Sequence, residues 1–166
     1  MVTKRTSATR RDAEAGSLDC HHNSWLIFED IKMTIDQDQL AAIRANARLV
    51  IAELSKSSDK SLDYDAASVA WVEQFIERQR ERQAADVEGL IQTLGSYLGE
   101  AVIASAGGTW DDHADLGLGI RFANESWCMP FAKVRKQFDQ GLEGGESILS
   151  FYKTTIDFVA TGKLDT

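Results

Sequence analysis

Residues 87–110 read VEGLIQTLGSYLGEAVIASAGGTW, and this stretch decides how the rest of the chain is organised. With about 100° between successive residues, its aliphatic side chains fall within one broad arc, which predicts an amphipathic helix. Gly95 and Gly99 lie together at the edge of that arc. Because a glycine inside a helix costs about 1 kcal/mol relative to alanine, we expect another stretch of backbone to approach closely along this edge. Gly107-Gly108 predicts that the helix ends in a left-handed residue.

Two further helices are predicted on the N-terminal side of this stretch. Apolar residues at helical spacing between positions 40 and 54 predict a helix that begins near Asp36, with Thr34 or Asp36 as its cap. A second helix is predicted to begin after Asp63 or Asp65 and to end in a charged run. Three helices therefore precede whatever follows Gly107-Gly108.

A small antiparallel sheet is predicted on the C-terminal side. Alternation of apolar and polar residues predicts a hairpin and a short third strand, and the single proline, Pro130, suits the start of the helix that follows. The predicted elements are strands over 109–113, 118–122 and 127–129 and helices over 131–140 and 146–159. The fold class is therefore α+β, with three N-terminal helices, a hairpin or three-stranded antiparallel sheet, and two C-terminal helices.

The domain organisation follows from where hydrophobic periodicity begins. Residues 1–32 show none and are rich in polar residues, so we expect a disordered tail or a gene-model extension there. Residues 33–162 have the length of one domain. The chain thus reads as a single α+β domain preceded by a tail.

The charge distribution of the chain indicates which kinds of partner it can bind. The formal net charge is −8, and residues 1–32 hold five basic and five acidic residues, so the whole acidic excess lies in residues 33–166. This balance argues against a nucleic-acid partner, whose phosphates attract Lys and Arg, and it suits a basic protein partner. We expect no membrane span, since no apolar run approaches the roughly 18–20 residues required. Two cysteines without a motif fit a cytoplasmic location, and no cofactor is predicted.

One cluster of residues in the predicted hairpin has the chemistry of a metal site. Asp111, Asp112, His113 and Asp115 place three carboxylates and an imidazole within five positions. A hard cation or a general base can use such groups. Aspartates at a turn entrance are also common for turn chemistry alone. A metal site requires at least three of these groups to converge in the folded chain.

Charged residues on two predicted helices suggest a polar contact. Glu100 falls off the apolar arc of the central helix, and Lys133 and Lys136 lie on the helix after Pro130. If that helix packs over the hairpin, Glu100 forms a half-buried ion pair with Lys133 or Lys136. Such a pair fixes geometry or contributes to a binding cleft.

Three tryptophans are further candidates for binding. Trp110 and Trp127 flank the hairpin, where core packing competes with a role as exposed binding anchors. Trp71 lies at the edge of the second helix beside charged residues, so we expect it to be the more exposed ring.

The order of these motifs resembles a family of small bacterial α+β domains of unknown function. The residues that carry the resemblance are LGSYLGE at 94–100, GGTW at 107–110, and Pro130 followed by Lys133. The family pattern is LGxYLGE, GGxW, proline and lysine in that order. The resemblance covers residues 87–155 and implies a cytosolic bacterial domain. Because such relatives sit near contact-dependent toxin genes, it also suggests an immunity-like or accessory binding role, with no catalytic residues to carry over.

Three functions follow from these observations. The first is a non-enzymatic protein-binding module, immunity-like or regulatory, with a basic partner. The second is a small metal-dependent or hydrolytic enzyme built on the Asp/His hairpin, although the chain contains none of the common nucleophile, phosphate-loop or zinc motifs. The third is an oligomerising structural domain that uses the face around Trp71.

Overall fold

The computed structural model describes residues 35–81 and 85–162, and the predicted tail at residues 1–32 lies outside them. The described elements confirm the predicted α+β class, with three helices before a three-stranded antiparallel sheet and two after it. In chain order they are α1 (Gln37–Ser55), α2 (Ala66–Glu81), α3 (Val87–Ala106), β1 (Thr109–His113), β2 (Gly117–Arg121), β3 (Trp127–Cys128), α4 (Pro130–Gln140), a 3₁₀ turn (Leu142–Gly144) and α5 (Ile148–Thr161).

Local signals in the sequence fix the helix ends. The Asp36 side chain accepts a hydrogen bond from the Asp38 amide, so Asp36, one of the two predicted caps, caps α1, while Thr34 lies outside the described residues. Pro130 is the first residue of α4, and Gly107 ends α3 with a φ of 75°. Each of these residues removes or satisfies a backbone group that a helix end leaves unpaired.

The sheet has the order β1-β2-β3, and its register assigns each side chain to a face. Trp110 pairs with Ile120, which pairs with Cys128, so these three buried side chains share the face toward the core. The opposite face carries Arg121, which pairs with Trp127. Because side chains alternate along a strand, Asp111 lies on the Arg121 face.

The centre of the core is α3, and its two glycines make room for aromatic rings. A Cβ atom at Gly95 would overlap the ring of Phe131 on α4, and one at Gly99 would overlap the ring of Trp110 on β1. The predicted close approach at this edge is therefore made by side chains rather than by another backbone. The two rings also contact each other, with centroids 5.5 Å apart. The glycines thus hold β1 and α4 against the same side of α3.

A buried polar network attaches α5 to the rest of the core. The Glu73 carboxylate of α2 accepts hydrogen bonds from the Ser147 hydroxyl (2.5 Å) and the Leu149 amide (3.1 Å). The fully buried Gln137 of α4 accepts another from the Ile148 amide (3.0 Å). These groups satisfy amides that the start of a helix leaves unpaired. Because Ser147 caps α5, the helix begins at Ile148 rather than near Glu146.

Candidate binding grooves

A concavity of about 590 Å³ lies between β3, α4 and α5. We call it the aromatic groove. Its aromatic lining comes from Phe122, Trp127, Phe151 and Phe158, and its charged lining comes from Lys133, Lys136 and Glu146. The volume falls within the range of small-molecule sites, about 300–1,000 Å³.

Lys133 and Glu146, which both line the aromatic groove, form an ion pair. The Lys133 ammonium lies 2.5 Å from the Glu146 carboxylate, and the two side chains are only 18% and 19% exposed. The hydrogen bond from Lys133 lowers the pKa of Glu146. Partial burial raises this pKa to a smaller extent, and the positive charges of Lys133 and Lys136 lower it further. Lys136 itself is exposed, and no carboxylate of residues 35–81 or 85–162 pairs with it.

A free cysteine also lines the aromatic groove. Cys128 is buried at 7% exposure, and burial raises the pKa of its thiol to about 12. The thiol is therefore protonated at neutral pH and adds no charge to the groove. Cys20, the other cysteine, lies outside the described residues.

The predicted ion pair between Glu100 and Lys133 or Lys136 is wrong. Glu100 instead accepts a hydrogen bond from the Trp110 indole nitrogen at 2.8 Å. Trp110 is only 5% exposed, and a buried indole N–H needs an acceptor. Trp110 is thus a core residue, Glu100 is its half-buried partner, and Lys133 faces the segment that leads into α5.

The four hairpin residues predicted as metal ligands do not converge. Asp111 faces Arg121, whose Nε lies 3.6 Å from its carboxylate, while Asp112 lies on the opposite face of β1. The His113 ring packs edge-on against Trp127, and its Nδ1 accepts a hydrogen bond from the Asp115 amide. Within the described part of the chain, no group of three His, Cys, Asp or Glu residues is arranged to hold a metal ion.

Trp71 and Trp127 are both half-buried, so Trp71 is more exposed than Trp110, which is 5% exposed. The Trp71 ring stacks on Phe75 with centroids 6.2 Å apart, and the Arg78 guanidinium lies 5.0 Å from its centre. A stacked ring and a cation–π contact thus cover part of Trp71.

A second concavity, of about 460 Å³, was not predicted from the sequence. We call it the apolar groove. It lies where α1, α2 and α3 meet, and its apolar lining comes from Leu49, Val50, Leu54, Phe75, Leu90 and Leu94. Leu49 is 50% exposed, one of three large hydrophobic residues left exposed in the described chain. The sequence feature that could have indicated this groove is Leu49, an apolar residue that lies outside the core-facing stripe of its helix.

Both charged residues that line the apolar groove are acidic. Glu53 pairs with Lys56 at 2.7 Å on the exposed side of α1. Asp86 caps α3 by accepting a hydrogen bond from the Gly89 amide at 2.8 Å. Acidic residues at the rim of an apolar surface attract a ligand that combines hydrophobic and cationic groups.

Comparisons with known proteins give no relative for this chain: no family model matches it, and the searches of curated proteins and of solved structures each return no match. The resemblance to the LGxYLGE family therefore stays a prediction. In the described part of the chain, none of the helices combines the length and apolar composition needed to cross a bilayer.

Proposed function

We propose that this protein is a non-enzymatic binding module that takes a basic amphipathic helix of a protein partner in its apolar groove. The observation that supports the proposal is the combination of exposed Leu49, an apolar lining and two acidic rim residues. In helix-in-groove recognition, an amphipathic partner helix inserts residues at i, i+3, i+4 and i+7 into a surface of this kind.

Apolar contact supplies the affinity in this arrangement. Fully burying a leucine side chain contributes about 1.5–3 kcal/mol, so covering the exposed half of Leu49 contributes about 1 kcal/mol. Leu54, Phe75 and Leu90 are each half-buried and offer further area to the same partner. A few such residues at the centre of an interface carry most of its binding energy.

Charge determines whether an acidic or a basic partner helix binds. The net charge of −8 and the acidic residues Glu53 and Asp86 repel an acidic helix and attract a basic one. Salt screens contacts between exposed charges, so the affinity for a basic helix should fall as the ionic strength rises. An immunity-like role, a bacterial origin and a cytoplasmic location remain predictions from the sequence.

The two other candidate functions have less support. A metal-dependent or hydrolytic enzyme on the hairpin needs at least three of Asp111, Asp112, His113 and Asp115 to converge, and among the described residues no three such groups are arranged to hold a metal ion. An oligomer formed through Trp71 has only part of that ring to use, because Phe75 stacks on it and the Arg78 guanidinium lies 5.0 Å from its centre.

A pull-down with matched variants tests the proposal. The immobilised full chain serves as bait in three forms: wild type, Leu49→Arg and Leu116→Arg. Leu116 is the matched control because it is also exposed, at 59%, but lies in the turn of the hairpin, outside both grooves. Both variants change a surface residue, which usually alters stability by no more than about 0.5 kcal/mol.

The expected result is a set of basic proteins that wild type and Leu116→Arg retain at about 50 mM salt and release at about 500 mM salt. Leu49→Arg should retain them about tenfold less, because it places a cation in the groove. A synthetic helical peptide of leucine and lysine should follow the same order in fluorescence anisotropy, and a leucine–glutamate peptide should not bind. Equal retention by the Leu49→Arg and Leu116→Arg baits would contradict the proposal.

A further inference from the structure

We propose that the aromatic groove is a second binding site, and that its ligand is a small monoanion with an apolar body, such as an aliphatic or aromatic carboxylate. This site is independent of the proposed function, because the aromatic groove and the apolar groove share no lining residue.

The lining of the aromatic groove fits an apolar body. Trp127, Phe151 and Phe158 line the cavity, and each of them is half-buried. The Met129 side chain adds a polarizable thioether that adapts to different ligand shapes. An aromatic surface of this kind contributes binding energy through buried area and through ring stacking.

The charges of the aromatic groove fit one anionic group. Two lysines and one glutamate line it, which leaves one net positive charge (2 − 1). The Lys133–Glu146 pair is internally satisfied, so the available cation is Lys136. A single net positive charge favours a monoanion, whereas a dianion would leave one charge uncompensated beside Glu146.

Neutral polar groups complete the site. The side chains of Thr154 and Thr155 line the same cavity, and their hydroxyls can donate hydrogen bonds to an anionic head group. The Cys128 thiol is protonated at neutral pH, so it does not repel an anion. Hydrogen bonds that involve a charged group are about twice as strong as those between neutral groups.

A pair of fluorescent probes separates the apolar contribution from the charge. Anilinonaphthalene sulfonate carries one negative charge, and N-phenylnaphthylamine is nearly the same fluorophore without it. Each probe is titrated against the full chain as wild type, Lys136→Gln, Thr154→Trp and Lys153→Gln. Lys153 is the matched control because it is an exposed lysine of α5 that does not line the groove. Circular dichroism and thermal melting establish that each variant is folded.

The expected results differ for each variant. Lys136→Gln should weaken the sulfonate probe about tenfold and leave the neutral probe unchanged, because only the charged contact is lost. Thr154→Trp should weaken both probes, because the larger side chain fills the cavity. Lys153→Gln should leave the affinity for both probes unchanged. Decanoate should displace the sulfonate probe at lower concentration than decanol does. Equal sulfonate affinity in Lys136→Gln and Lys153→Gln would overturn the anion assignment, and unchanged binding of both probes to Thr154→Trp would overturn the location.

Discussion

Replacing Glu73 by alanine should destabilise the protein by an amount that the structure allows to be worked out. Glu73 is 6% exposed, and its carboxylate accepts hydrogen bonds from the Ser147 hydroxyl and the Leu149 amide at the start of α5. Both hydrogen bonds are accepted by Oε2 of Glu73, so alanine removes the shared acceptor and leaves two donors without their partner. Each unsatisfied buried donor costs about 1–3 kcal/mol. Because Ser147 and Leu149 are half-buried and water can reach them in part, the lower end of that range applies to each.

The charge of Glu73 adds a second contribution. A negative side chain at a helix N-terminus stabilises the helix dipole by about 0.3–1 kcal/mol. Glu73→Ala should therefore lower the free energy of unfolding by about 2–3 kcal/mol. Glu73→Gln keeps an acceptor oxygen but loses the charge, so it should cost about 1 kcal/mol.

Urea unfolding followed by circular dichroism measures these differences. Gln74→Ala is the matched control, because Gln74 is the exposed next residue of the same helix, and it should change the stability by less than about 0.5 kcal/mol. A double-mutant cycle with Ser147→Ala should give a coupling energy of about 1 kcal/mol between the two side chains. A cost below about 1 kcal/mol for Glu73→Ala, or equal costs for the alanine and glutamine variants, would refute the reasoning.

Two further predictions concern the contacts that α3 makes with β1 and with α4. Gly99→Ala should destabilise the protein by about 1–2 kcal/mol in urea unfolding, since overpacking against the Trp110 ring outweighs the helix propensity of alanine. The same change in a Trp110→Leu background should be neutral or stabilising. An equal loss of stability in both backgrounds would contradict this explanation. Arg135 donates two 2.6 Å hydrogen bonds to Glu88 and lowers the pKa of that carboxyl below its ordinary value of 4.5. The stabilisation from this pair is thus present above pH 4.5 and is lost as the pH falls through the lowered pKa. In Arg135→Gln, NMR titration should show the pKa of Glu88 shifted upward, and an unchanged value would contradict the pairing.

The sequence predicts the elements well because their signals are local. The apolar arc and the glycine stop of α3 both lie within residues 87–108, so the helix and its C-terminal end follow from neighbours along the chain. The same holds for Asp36 at the start of α1 and Pro130 at the start of α4. Such features need no knowledge of the tertiary structure.

Side-chain partners could not be predicted in the same way, because they join residues far apart in sequence. Glu73 reaches an amide 76 positions away, and Lys133 pairs with a glutamate in the turn before α5 rather than with Glu100 on α3. Glu100, Lys133 and Lys136 were predicted as an ion pair from their charges, and charge alone does not say which of several opposite charges each one meets. The apolar groove was missed for a related reason, since one exposed leucine becomes a surface only when α2 and α3 place their own apolar residues beside it.

The glycine pair of α3 connects the fold to the aromatic groove. Phe131 lies in the first turn of α4 and occupies the space that Gly95 leaves open, so Gly95 sets how closely the start of α4 approaches α3. Lys133 and Lys136 lie on the same helix, and both line the aromatic groove. A side chain at position 95 would overlap the Phe131 ring, so the ring or the start of α4 would have to shift to make room for it. Gly95 thus packs α3 and also seats the first turn of the helix that carries both lysines of the aromatic groove.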